Sequence, residues 1–178
     1  MMTPVVLLLA LIGAAVVQVL APAHAALGQV KAPALLAVVV YYALNRRFAV
    51  TMTAALLAGV LQDALSLVPL GYSSLLFMGA GAAMSRYREQ MESESVVTAA
   101  FFGAATAAVV AVLMSLLLAH AGRFVWRPGP VVLRVAGSAV LGLVVTPAVF
   151  LVVGGLDRRV GNVEQKEDVA EFGRTDEF

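Results

Sequence analysis

The sequence predicts an all-α integral membrane protein in which six transmembrane helices form one bundle, followed by a polar C-terminal tail. Three observations carry that fold class. Of 178 residues, 61% are apolar and 13% charged, whereas soluble domains average roughly 45–50% apolar and 25% charged. Seven of the 11 acidic side chains follow Gly155, so the rest of the chain lacks the polar coat that water requires. Apolar runs recur along the chain, separated by short segments holding proline, glycine or arginine, and the mean hydropathy is +0.93. At about 20 residues per crossing, a chain of this length leaves no room for a soluble catalytic domain.

The first span, residues 3–21, is apolar except for Thr3 and Gln18 and stops before Pro22. A secretory signal is the competing reading, because Pro22-Ala23-His24-Ala25 offers small residues near a cleavage position. The positively charged segment that opens such signals is missing. The second span, 30–44, has Pro33 in its first turn and an apolar core of only Ala34 to Leu44. So short a run either extends backward through Ala26 or lies buried among its neighbours. The third, 48–67, passes through Gln62 and Asp63 and ends at Pro69-Leu70-Gly71. The fourth, 72–85, is short, rich in glycine and alanine, and closes at Arg86-Tyr87-Arg88. The fifth, 96–121, is the longest run, and Trp126 in the loop after it suits an interfacial anchor. The sixth, 131–153, contains Thr146-Pro147, a local break whose freed carbonyl neighbouring helices must satisfy. From residue 154 onward the composition turns to Asp, Glu, Lys and Arg with few aromatics, which predicts a disordered tail.

Six spans place both termini on one side. That side holds Arg46, Arg47, Arg86, Arg88, Arg158 and Arg159, against Lys31, Arg123, Arg127 and Arg134 opposite, so the bias favours cytoplasmic termini. The net charge of +1 gives no nucleic-acid footprint, and the absence of cysteine excludes disulfides, iron–sulfur clusters and thiolate metal sites. Two isolated histidines supply no metal-ligand spacing. No nucleophile elbow, phosphate loop or paired-carboxylate pattern appears, so no catalytic, cofactor-binding or metal residues are assigned and no cofactor is expected.

Asp63 is the only acid before residue 89. A carboxylate at mid-bilayer costs roughly 2.5 to 3.5 kcal/mol, which makes its placement informative: it is either a hydrated structural anchor or a contact to another helix or a partner. Small residues recur four apart, at Ala54 and Ala58, Gly79 and Ala83, Gly103 with Ala107 and Ala111, and Ser138 and Gly142. They predict close helix packing within the bundle first and a homodimer face second. Arg134, near the start of the sixth span, is explained by snorkelling to the surface, and His120 by an interfacial position.

The stretch from Ala58 to Tyr72 resembles the most recognisable segment of the rod-shape-determining membrane protein family MreD, with the likeness falling on Gly59, Asp63, Pro69, Leu70 and Gly71. Pro33 before a short second span, Arg86-Tyr87-Arg88 and Thr146-Pro147 agree in placement, while Ala34 stands where an acid is common in that family. The resemblance implies a non-enzymatic component of the elongation machinery in the bacterial cytoplasmic (inner) membrane. Its expected partners are a bitopic MreC-like scaffold, indirectly MreB filaments and peptidoglycan synthases, and membrane lipids. Gly59, Asp63, Pro69, Leu70 and Gly71 become motif or partner-contact candidates. The rival reading is the substrate-binding subunit of an energy-coupling-factor vitamin transporter, which that family resembles in size, span number and fold. Such a subunit needs convergent polar groups near one membrane face, and the candidates are Asp63, Tyr72, Ser73, Ser74, His120 and Trp126. A membrane enzyme built on Asp63 and His120 is a third and weaker reading.

Overall fold

The computed structural model describes residues 3–21, 30–66, 70–87, 96–122 and 128–159. Pro22, Pro69, Trp126, the acidic loop at 89–94 and the tail from 160 onward lie outside the described residues. The described chain forms six helices: α1 (Thr3–Leu20), α2 (Ala34–Asn45), α3 (Phe48–Ser66), α4 (Tyr72–Tyr87), α5 (Val96–His120) and α6 (Pro128–Arg159). Of these, α3, α5 and α6 are long and apolar enough to cross a membrane by length and composition.

Contacts between helices fix an up-and-down bundle. Gly59 meets Ser74 while Gly81 meets Thr51, so α3 and α4 are antiparallel, and Gly103 meets Thr146 and Gly142 in the same antiparallel sense between α5 and α6. Gln18 of α1 bonds Gln62 of α3, which sets those two helices parallel with their C-terminal ends together. We call the end holding the α2–α3 turn and the C-terminus of α6 the terminal face, and the end holding the α3–α4 turn the far face.

Helix α2 is the centre of the fold. Every residue from Ala34 to Leu44 is buried, and the helix touches all five others. A helix that is apolar on all sides has no face to give to solvent or lipid, so burial at the centre follows from its sequence. With 12 residues it extends only about 18 Å at 1.5 Å per residue, far less than the roughly 30 Å hydrocarbon layer. The alternatives set by its length are therefore decided for burial. Helical structure starts at Ala34, with residues 30–33 non-helical before it, because Pro33 holds the N-cap with ψ 55° and its ring disfavours helical backbone in the residue before it. At the other end the Tyr42 carbonyl accepts both the Arg46 N–H (2.9 Å) and the Thr51 hydroxyl (3.0 Å), which ties the turn into α3.

Around this centre, packing depends on small residues. A Cβ at Gly103 would fall on the Thr146 hydroxyl and 2.8 Å from the Gly142 carbonyl, and one at Gly142 would lie 2.6 Å from the Gly103 carbonyl. Backbone contact of this kind is how helices associate where lipid removes the hydrophobic drive. Ala54 and Ala58 are likewise fully buried, whereas Gly79 and Ala83 face outward. The outer surface is apolar too, with Leu9, Ile12, Phe101, Val144 and Leu151 all more than half exposed. In water such a surface would aggregate; in lipid it is the expected exterior.

Helix α6 differs from its sequence reading at both marked points. It runs through Pro147 without a break, and it continues six residues past Val153, to Arg159. The change of composition at residue 154 therefore does not end the helix. Phe150, Val153, Gly154 and Asp157 follow the spacing of one helix face, and that face continues to pack against α2 at Tyr41.

Candidate functional site

Gly59, Asp63 and Gly71 come together at the α3–α4 turn. Gly71 has φ +105°, a backbone region that L side chains rarely adopt, and its carbonyl accepts the first bond of α4 from the Leu75 N–H at 2.9 Å. Glycine at this capping position has no side-chain oxygen to offer the free N–H groups of the first turn. Asp63 supplies it from the preceding helix. One carboxyl oxygen accepts the Gly71 N–H at 2.7 Å and the other accepts the Ser73 N–H at 3.0 Å, with Asp63 only 1% exposed. An acid beside a helix N-terminus also meets the positive end of the helix dipole.

Gly59, one turn before Asp63 on the same face of α3, makes this approach possible. A Cβ there would fall on the Ser74 Cα and 2.5 Å from its backbone nitrogen, so the helices cross at backbone contact. Leu70 is 74% exposed just before α4, and Pro69 lies outside the described residues. Asp63 is not a hydrated anchor: it is buried, and both oxygens are engaged by backbone at the start of α4, a contact from one helix to the next within the chain. Asp63→Ala leaves the buried Ser73 N–H without an acceptor, at about 1–3 kcal/mol, and the part-buried Gly71 N–H at less. Asp63→Asn keeps one acceptor and is expected to cost less. Denaturant unfolding of the purified chain in detergent should rank wild type above Asn above Ala, and an unchanged Ala variant would remove the cap.

A second polar cluster lies at the terminal face and was missed from sequence. Arg46 Nη2 pairs with Asp157 Oδ2 at 3.0 Å, and the Tyr41 hydroxyl donates to the same oxygen at 2.8 Å. Arg46 and Asp157 are 5% and 2% exposed. Tyr41 also packs edge-on against Tyr42 and Phe150, at ring separations of 5.4 and 5.1 Å. Asp157 sits at the start of the polar tail in sequence, which hid it; the continuing helical spacing from Phe150 was the signal that could have found it.

At the far face Gln18 Nε2 donates to Gln62 Oε1 at 2.6 Å, Gln62 Nε2 donates to the Ser66 hydroxyl at 2.8 Å, and the Leu35 N–H lies 3.4 Å from Gln18 Oε1. Gln18, Gln62 and Ser66 border a cavity of about 380 Å³ beside the start of α2. Of the six residues the transport reading drew on, Ser73 lines it; Asp63, Tyr72, Ser74 and His120 do not, and Trp126 is outside the described residues. Among the described residues no group of three His, Cys, Asp or Glu is placed to hold a metal ion.

A bundle with an apolar exterior, a wholly buried central helix and polar side chains engaged between helices defines a helical integral membrane protein. The chain belongs to the MreD family: the family model described as rod shape-determining protein MreD matches residues 1–153. That span takes in all of α1 to α5 and most of α6, and the family assigns the chain a role in rod-shape determination. Among curated proteins and among solved structures, nothing matches the chain.

Proposed function

We propose that this protein is a non-enzymatic component of the elongation machinery in the bacterial cytoplasmic membrane, with six crossings and both termini in the cytoplasm. It binds a bitopic MreC-like scaffold within the membrane and helps couple MreB filaments to the peptidoglycan synthases outside. The observation that carries this reading is the family match over residues 1–153. The distribution of polar groups supports it: Asp63, Gln18, Arg46 and Asp157 are spent on contacts inside the chain, which leaves the apolar outer faces of α1, α5 and α6 for association with another span. The α3–α4 connection, with Leu70 exposed just before α4, is the partner-contact candidate at the far face.

In a rod-shaped bacterium that depends on this gene, depletion should round the cells, and the MreC-like scaffold should co-purify with the tagged chain. Rods that persist under depletion, or vitamin uptake when the chain is expressed with an energising ATPase module, would overturn the reading. A reporter fused after Phe178 should be active when it requires cytoplasm and silent when it requires export; the reverse pattern would invert the topology.

A further inference from the structure

The short central helix has a consequence at the far face. Because α2 starts only at Ala34, its first turn ends inside the bundle, and the space beyond it forms the cavity of about 380 Å³. That volume lies within the range of roughly 300–1,000 Å³ in which small-molecule sites fall. The lining divides by chemistry. Leu36, Leu76, Phe77, Val110 and Met114 make an apolar wall, whereas Lys31, Arg134, Gln62, Ser66 and Ser73 supply polar atoms. No acidic side chain is among the described residues that line it; the nearest acid, Asp63, is engaged behind Ser73 by backbone N–H groups, and the exposed Lys31 and Arg134 are the charged groups at the rim. The N-terminus of α2 faces the same space, with Pro33 and Leu36 both in the lining, and adds the positive end of a helix dipole. Snorkelling alone explains one surface arginine; it does not explain a lysine from the α1–α2 segment and an arginine from α6 bordering one cavity between helices.

We propose that this cavity binds an anionic amphiphile, with a phosphate-type headgroup held by Lys31 and Arg134 and its apolar chain against the wall of α4 and α5. Arginine and lysine are the usual partners of phosphate oxygens, and here both border a cavity that also has an apolar wall. The natural source is an acidic phospholipid of the surrounding leaflet. Free phosphate shares the headgroup chemistry and lacks the chain.

The full-length chain, purified in a neutral detergent, is titrated with dioctanoylphosphatidylglycerol, with dioctanoylphosphatidylcholine and with inorganic phosphate, and binding is read as the rise in thermal midpoint and by native mass spectrometry. Phosphatidylglycerol should bind saturably and at least tenfold more tightly than phosphatidylcholine or phosphate. Lys31→Gln with Arg134→Gln should weaken it at least tenfold without lowering the midpoint of the ligand-free protein, and Arg86→Gln at the opposite end should leave it unchanged. Ala111→Phe, which adds an apolar ring to the wall, should displace the lipid while the charges remain. Equal binding of the zwitterionic lipid, phosphate binding as tightly as the lipid, or retention of the lipid by the double variant each overturns the proposal.

Discussion

Gly59→Ala is expected to destabilise the bundle severely, although it adds a single methyl group. Its Cβ would fall on backbone atoms of Ser74, and a contact below 3.0 Å with backbone cannot be relieved by a side-chain rotation. Helices α3 and α4 would have to separate, and one turn further on that separation stretches both bonds from Asp63 to the Gly71 and Ser73 N–H groups. Overpacking alone costs about 1–3 kcal/mol, and loss of the acceptor for the buried Ser73 N–H adds about 1–3 kcal/mol, with a smaller loss at the part-buried Gly71 N–H. Gly79→Ala is the control. Nothing lies within 4 Å of a Cβ there, so the substitution should be neutral or stabilising by up to about 1 kcal/mol through helix propensity. The amount of monodisperse protein and its thermal midpoint in detergent separate the two. If both alanine variants behave alike, α3 and α4 do not cross at Gly59.

The second large effect is expected at the terminal face. Removing one partner of a buried ion pair typically costs 3–5 kcal/mol, roughly, because the other charge remains in a poorly solvated site. Asp157→Ala takes away the carboxylate that Arg46 and Tyr41 share, and should detach the last turns of α6 from α2. Arg46→Ala should cost a similar amount. The pair Arg46→Met with Asp157→Leu removes both charges while keeping volume, and should recover most of the loss. A double-mutant cycle read by denaturant unfolding in mixed micelles measures the coupling. Additive losses would show that the two residues act separately. Tyr41→Phe, which deletes only the hydroxyl bond to Asp157, should cost about 1.5–3 kcal/mol.

These two sites differ in how much of them the sequence displayed. The α3–α4 turn was legible because its parts are close in the chain: an acid alone in an apolar run, then a glycine eight residues later. What sequence left open was the role of Asp63, since an acid near a helix end serves equally as anchor or as contact. The two carboxyl–backbone bonds show what it touches within the chain, the start of α4. The terminal cluster joins residues 116 positions apart, Tyr41 and Asp157, and its acid stands where composition turns polar. Composition averages over a window, whereas burial is decided residue by residue around the helix. The small-residue pairs show the same limit. Their spacing was visible, but only packing separates Gly103 and Gly142, which meet backbone to backbone, from Gly79, which meets nothing.

By itself the sequence determined the solvent, the helices and their order, because the length and polarity of an apolar run are local properties set against the thickness of a bilayer. Only the tertiary structure decided that the shortest helix is the central one, that its late start leaves a cavity bordered by Lys31 and Arg134 at the far face, and that Arg46 finds Asp157 across the bundle. Those outcomes depend on which faces meet, and in a medium as apolar as the helices themselves, hydropathy does not choose between faces. Close packing and hydrogen bonding between distant residues do.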